Sequence, residues 1–213
     1  VSRQIQPGNT PPTPVIAQPG SGLTFAVGDT ITVAGSATDA EPGTLPLTLR
    51  WDALLWHVDS ENPGNAHTHT LITINGPNGQ FSAPAPEVFT STELGYVEVR
   101  LTVTDAWGLS AVVSQTLQPR RVRVTFATQP SGLRVIANGF SATGPQTLTA
   151  WENWVFTASP PVVQTLGVDS WVFDHWENNA TNTTRLITTP AASTTYTATF
   201  KPAKRVFLPL GQR

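Results

Sequence analysis

Three histidines of this chain stand close enough in sequence to act together. His57 closes one apolar run, and His67-Thr68-His69 opens the next after a short polar connection. Residues i and i+2 on a β-strand share a face, so His67 and His69 point the same way. A hairpin register shifted by one brings His57 to either of them. Three imidazoles on one face suit Zn²⁺ or Cu²⁺, and Glu87 offers a fourth ligand. A hydrogen-bonded polar patch fits the same residues, and both readings stand at this stage.

A second set is built from oxygen: Asn9, Asp39, Glu41 and Asp105. Carboxylates and amides are hard ligands of the kind that Ca²⁺ gathers about six to eight at a time. Asp39 and Asp105 read equally well as turn residues whose side chains satisfy nearby backbone. The third set is aromatic. With seven Trp against two Tyr, indole is the main polar-tipped ring available for recognition. Trp51 and Trp171 read as core. Trp107 sits in a tight turn beside Gly108, where burial is hard; Trp56, Trp151 and Trp154 are ambiguous. Exposed indole faces stack on sugar rings, which makes Trp107, Trp56, Trp151 and Trp154 a carbohydrate-binding set. Packing against a neighbouring module is the competing reading.

The elements that must position these groups are strands. Val97, Val99, Leu101 and Val103 alternate with Glu98, Arg100, Thr102 and Thr104, the period-two pattern of a half-buried strand. Asp105-Ala-Trp-Gly108 then turns the chain into a second apolar run. Similar runs cover 15–18, 31–37, 47–58, 67–74, 80–82 and 109–117, separated by Pro-Gly and Pro-Asn-Gly turns. Seven short strands in about a hundred residues predict an immunoglobulin-like sandwich. In that arrangement the start of the first strand and the loops holding Asp39, Glu41 and Asp105 share one end, so the oxygen set converges.

Charged residues make up only 12% of the chain and the formal net charge is −2, too weak a field to hold nucleic acid or an anionic membrane. The chain has no Cys and no Met. Thiol catalysis, Cys-built zinc sites and disulfides are excluded, and an extracellular bacterial setting is expected. No apolar run is long enough to cross a bilayer. Val1 is not a start residue, which suggests a processed piece of a secreted precursor. No Gly-x-Ser-x-Gly elbow, phosphate loop or acid/base pair of telling spacing stands out.

Asn9-Thr-Pro-Pro, Gly35-Ser-Ala-Thr-Asp39-Ala-Glu-Pro-Gly43 and Val99-Arg-Leu-Thr-Val-Thr-Asp105-Ala-Trp-Gly108 together resemble a PKD-type (polycystic kidney disease-like) domain. The usual Trp-Asp-Phe-Gly-Asp-Gly motif is absent, and Trp51-Asp-Ala-Leu-Leu-Trp-His57 stands in its place. That segment, with His67-Thr-His69, resembles the PKD-like module following the catalytic domain of some bacterial glucose/sorbosone dehydrogenase-like proteins. Those often carry a further His-Glu after Ala-Pro; here Glu87 remains and the His is lost. The resemblance covers about residues 8 to 120. Beyond Gln118-Pro-Arg-Arg121, the stretches Gln129-Pro-Ser-Gly, Phe173-Asp-His-Trp176 and Thr194-Thr-Tyr-Thr-Ala-Thr-Phe200 resemble internalin-type bacterial repeat modules. Such a module often follows the PKD-like one in the same proteins.

The expectation is an all-β chain: a linker over 1–14, a PKD/Ig-like β-sandwich over 15–119, a small β-rich repeat-type domain over 120–202 and a tail over 203–213. The tail reads as a sorting signal or an edge strand. The expected role is a non-catalytic, extracellular accessory region attaching a secreted protein to polysaccharide or a bacterial cell surface. Its partners would then be that surface and the upstream domain of its own precursor. Two alternatives are a self-assembling structural subunit of a surface layer, adhesin or filament, and the C-terminal part of a quinoprotein sugar dehydrogenase. A metal-dependent enzyme built on the three His is a further reading.

Overall fold

The structure, a computed structural model, describes residues 7–58 and 63–203. The first six residues of the expected linker and the tail from 204 onward lie outside the described residues. Strand dominates, and among the described residues the helical geometry is one 3₁₀ turn at Pro63–Asn65. None of their helices is long and apolar enough to cross a membrane. Two compact units form. The first takes residues up to Glu87, Thr92–Arg121 and Trp151–Asn153; the second takes Val88–Ser91, Val122–Ala150 and Trp154 onward.

The first unit contains β1 (Thr13–Gln18), β2 (Thr24–Phe25), β3 (Thr30–Thr38), β4 (Thr48–His57), β5 (His67–Asn75), β6 (Asn78–Ser82), β7 (Tyr96–Thr104) and β8 (Ser110–Pro119). One sheet has the order β1-β3-β6 and the other β2-β8-β7-β4-β5. Alternation explains β7: Val97, Val99, Leu101 and Val103 are buried, while every second residue is partly open. Trp51 on β4 faces Leu101 on β7, and both lie in one core with Ile31 and Val33 of β3. Each such side chain contributes about 2–3 kcal/mol by leaving water. Gly35 permits the close approach. A Cβ there would lie 2.7 Å from Leu101 and 2.8 Å from the Trp51 ring, so Gly35→Ala forces the core apart.

The second unit is built from β9 (Arg121–Gln129), β10 (Arg134–Ala137), β11 (Phe140–Thr143), β12 (Gln146–Trp151), β13 (Val155–Ser159), β14 (Val163–Leu166), β15 (Asp169–Trp176), β16 (Arg185–Thr188) and β17 (Thr194–Pro202). Its sheets run β11-β10-β13-β16 and β12-β9-β17-β15-β14. Aromatic rings fill its interior. Phe89 meets Trp154 at 5.0 Å and Phe156 at 4.7 Å, and Phe173 meets Trp176 at 5.8 Å. Trp171, expected in a core, is only half-buried.

Candidate metal centre and aromatic face

Local strand geometry builds the histidine cluster. β4 sends Trp51, Ala53 and Leu55 into the core, and the same alternation carries His57 to the end of that column. β5 lies antiparallel beside it. His57 faces His67 directly and His69 faces Leu55, so the register at this end is unshifted. The irregularity falls further down, between Ala53 and Leu54. The ring centroids of His57 and His67 stand 4.9 Å apart, and those of His67 and His69 4.8 Å apart.

Glu87 approaches from the connection between β6 and β7. One carboxylate oxygen lies 2.8 Å from His69 Nε2 and the other 3.5 Å from His67 Nε2. His67 Nδ1 is 2.7 Å from the Asn65 carbonyl. A carbonyl only accepts, so His67 Nδ1 carries a hydrogen, and in the neutral ring Nε2 is left as a lone pair. Both ring nitrogens of His57 are buried without a partner. One ligand atom each from His57, His67 and Glu87 falls within 4.8 Å of the others.

Beside this cluster is a buried acid that has no counterpart in the expectations. Glu93 is 2% exposed; its oxygens accept from Trp151 Nε1 (2.6 Å) and the Gly95 amide. Burial pushes its carboxyl above the ordinary glutamate range, against the pull of Trp151, Gly95 and the Arg121 guanidinium. An isolated acid in a connecting segment reads as solvated, so only the fold singles it out.

The oxygen set is joined in two pairs. Asn9 Nδ2 donates to Asp105 (2.8 Å), and the Glu41 amide donates to Asp39 (3.3 Å). The other Asp105 oxygen accepts from the Trp107 and Leu109 amides, both at 2.9 Å, so Asp105 closes the β7–β8 turn. Burial raises its pKa, but the hydrogen bonds from Asn9, Leu109 and Trp107 outweigh this and hold it low. The Thr10 hydroxyl spans both oxygens of Glu41, and that bond leads in lowering the Glu41 pKa. One oxygen each of Asn9 and Asp39 has no partner.

The four Trp candidates separate. Trp107 is 39% exposed. Trp56 is half-buried on the outer face of the five-stranded sheet, nearly parallel to Tyr96 (15°, 5.7 Å). Trp151 and Trp154 are 0% and 5% exposed and offer no face to a sugar, which corrects their place in the carbohydrate-binding set. The cause is the turn between them. Asn153 adopts φ +63°, Glu152 and Asn153 take the outward positions, and the flanking indoles turn inward. Trp151 then packs edge-on to Phe25, and Trp154 packs on Phe89.

Trp56 and Tyr96 have polar neighbours. Trp56 Nε1 donates to Glu98 (2.7 Å), and Arg100 grips the same carboxylate through two nitrogens, at 2.8 and 2.9 Å. The Arg100 bond leads in depressing the Glu98 pKa, with Trp56 and Ser114 adding to it. Thr73 and Arg50 hold Asp52 on the same face. Tyr96, Glu98 and Arg100 went unrecognised as a group, although their i, i+2, i+4 spacing places them on one face. The sequence matches no family model and no curated protein.

Proposed function

We propose that this chain is a non-catalytic accessory region that attaches an extracellular bacterial protein to polysaccharide or a cell surface. The contact is made through the outer face of the five-stranded sheet in the first unit. One observation carries the reading: Trp56 and Tyr96 stack nearly parallel beside Glu98 and Arg100, which bond each other, and Asp52, which Arg50 and Thr73 hold. Aromatic rings beside preorganised polar groups match a sugar, which has apolar C–H faces and a hydroxyl rim. Trp107 adds a second, separate aromatic contact in the β7–β8 turn. Weak attachment of this kind raises the local concentration of a fused partner on its substrate. The kinship with PKD-like and repeat modules of dehydrogenase-like proteins belongs to this proposal and rests on the sequence motifs alone.

Retention on insoluble polysaccharides tests it. The chain is expected to be retarded on at least one glycan, with retardation lost in Trp56→Ala and reduced in Trp107→Ala. Equal mobility on every glycan sinks the reading.

One observation favours the structural-subunit alternative. β5 is a nine-residue edge strand with His67–Thr70 exposed, and such an edge accepts a strand from another chain. Concentration-dependent growth in sedimentation would support that role over glycan attachment.

A further inference from the structure

We infer that His57, His67 and Glu87 form a site for one late first-row divalent ion, Zn²⁺ or Cu²⁺, with His69 orienting the Glu87 carboxylate. The inference is independent of the glycan reading, because His57 and His67 end the column of β4 and β5 opposite the outer face, and Glu87 reaches them from the β6–β7 connection. Three features of the geometry support it.

The first is an acceptor facing an acceptor. The bond to Asn65 fixes the His67 tautomer, so in the neutral ring a lone pair on Nε2 points toward a Glu87 oxygen at 3.5 Å. A proton or a metal ion on Nε2 makes this approach favourable, so the geometry admits a metal between the two groups. The spacing also suits a metal. Bonds of about 2.0–2.2 Å at tetrahedral angles put neighbouring ligand atoms about 3.3–3.5 Å apart.

The second is His57. Both of its ring nitrogens are buried and unpartnered, an arrangement that costs about 1–3 kcal/mol per polar group unless something binds there. The ligand atoms of His57, His67 and Glu87 already lie within 4.8 Å of one another. Closing onto an ion therefore takes side-chain rotation of about an ångström, with no change of strand register.

The third is orientation. A ligating imidazole is normally held by a hydrogen bond from its other nitrogen to a carbonyl, as the Asn65 carbonyl does for His67. His69 Nε2 lies at hydrogen-bond distance, 2.8 Å, from Glu87, so it orients the carboxylate and stands outside the set of three. Nitrogen-rich donors of this kind select Zn²⁺ or Cu²⁺ over Ca²⁺ and Mg²⁺, which prefer oxygen.

The test uses the full chain without an affinity tag, stripped with chelator. ZnCl₂ and CuCl₂ are titrated separately by calorimetry, with CaCl₂ as control, and metal content is measured after dialysis. One Zn²⁺ or Cu²⁺ per chain is expected. His67→Gln and Glu87→Gln should each weaken binding by about tenfold or more. The Cu²⁺-loaded chain should show imidazole nitrogen couplings in its paramagnetic resonance spectrum, fewer in His57→Gln. His67→Gln and Glu87→Gln change partly exposed side chains, so they keep the test valid if His57→Gln fails to fold. No saturable uptake of either ion by about 1 mM overturns the inference. So does one-ion binding that both His67→Gln and Glu87→Gln leave unchanged.

Discussion

The two ends of β4 use polar side chains in opposite ways. At its start, beside the β7–β8 turn, Asp105 accepts from Asn9 and from the amides of Trp107 and Leu109. There the acid holds a turn together. At its far end, three imidazoles and Glu87 converge, yet neither ring nitrogen of His57 has a hydrogen-bond partner, and His67 Nε2 stands 3.5 Å from the Glu87 carboxylate. The ends lie about 30 Å apart along ten residues of strand. What separates them is the source of donors. A tight turn supplies backbone N–H groups to any nearby carboxylate. Paired strands spend those groups on the ladder and leave inward side chains to satisfy each other. One oxygen each of Asn9 and Asp39 also lacks a partner at the first end, but there Asp105 is taken up by the turn. The second end instead brings ligand-type atoms of His57, His67 and Glu87 within 4.8 Å of one another.

The largest effect is expected from Glu93→Ala beside the histidine end. It leaves Trp151 Nε1 and the Gly95 amide buried without acceptors, and about 3 kcal/mol of stability should be lost in urea unfolding. A variant as stable as wild type would mean that this end is not held by its polar framework. Next comes the metal. At about a hundredfold excess over Kd, Zn²⁺ should add about 2.7 kcal/mol, seen as a higher melting temperature. That gain should vanish in His67→Gln and persist in Asp105→Asn. If Asp105→Asn abolishes it instead, the roles of the two ends are reversed.

Smaller still is the change at Asp105 itself. Asp105→Asn keeps an oxygen for the Trp107 and Leu109 amides but sets an amide against Asn9 Nδ2. Asp105→Ala removes every acceptor, so thermal melting should rank wild type above Asn above Ala. The smallest effect is one of pH. Arg100 holds the Glu98 pKa below the ordinary glutamate value near 4.5. The folded pKa lies under the unfolded one, so Glu98 stabilises the fold above about pH 4.5. This contribution fades as pH falls through the lower folded value. Glu98→Gln should cost under about 1 kcal/mol at pH 7, and the difference should disappear at strongly acidic pH. Glu93 carries the opposite sign, because its folded pKa is raised: its ionised form subtracts stability as pH climbs above the ordinary range.

Alternation made β7 legible, because it buries one face and opens the other, and turn signals between apolar runs marked most of the other strands of the first unit. β2 escaped, since two residues carry no period. The three histidines and Glu87 were readable as ligand types, and i, i+2 spacing placed His67 and His69 together. The direct pairing of His57 with His67 was not readable, because it depends on the irregularity between Ala53 and Leu54 and on the connection across 58–66. Trp151 and Trp154 were misjudged for a related reason. Flanking a turn, they have no run of alternation to reveal their side, and burial was decided by Phe25 and Phe89, far away in sequence. Glu93 carried no local signal. By itself the sequence determined the all-β class, most strand positions of the first unit and the ligand chemistry available, since these follow from short-range periodicity and side-chain type. Tertiary structure decided which ligands meet, which aromatics face outward and which polar groups lack a partner, because those depend on register and long-range packing.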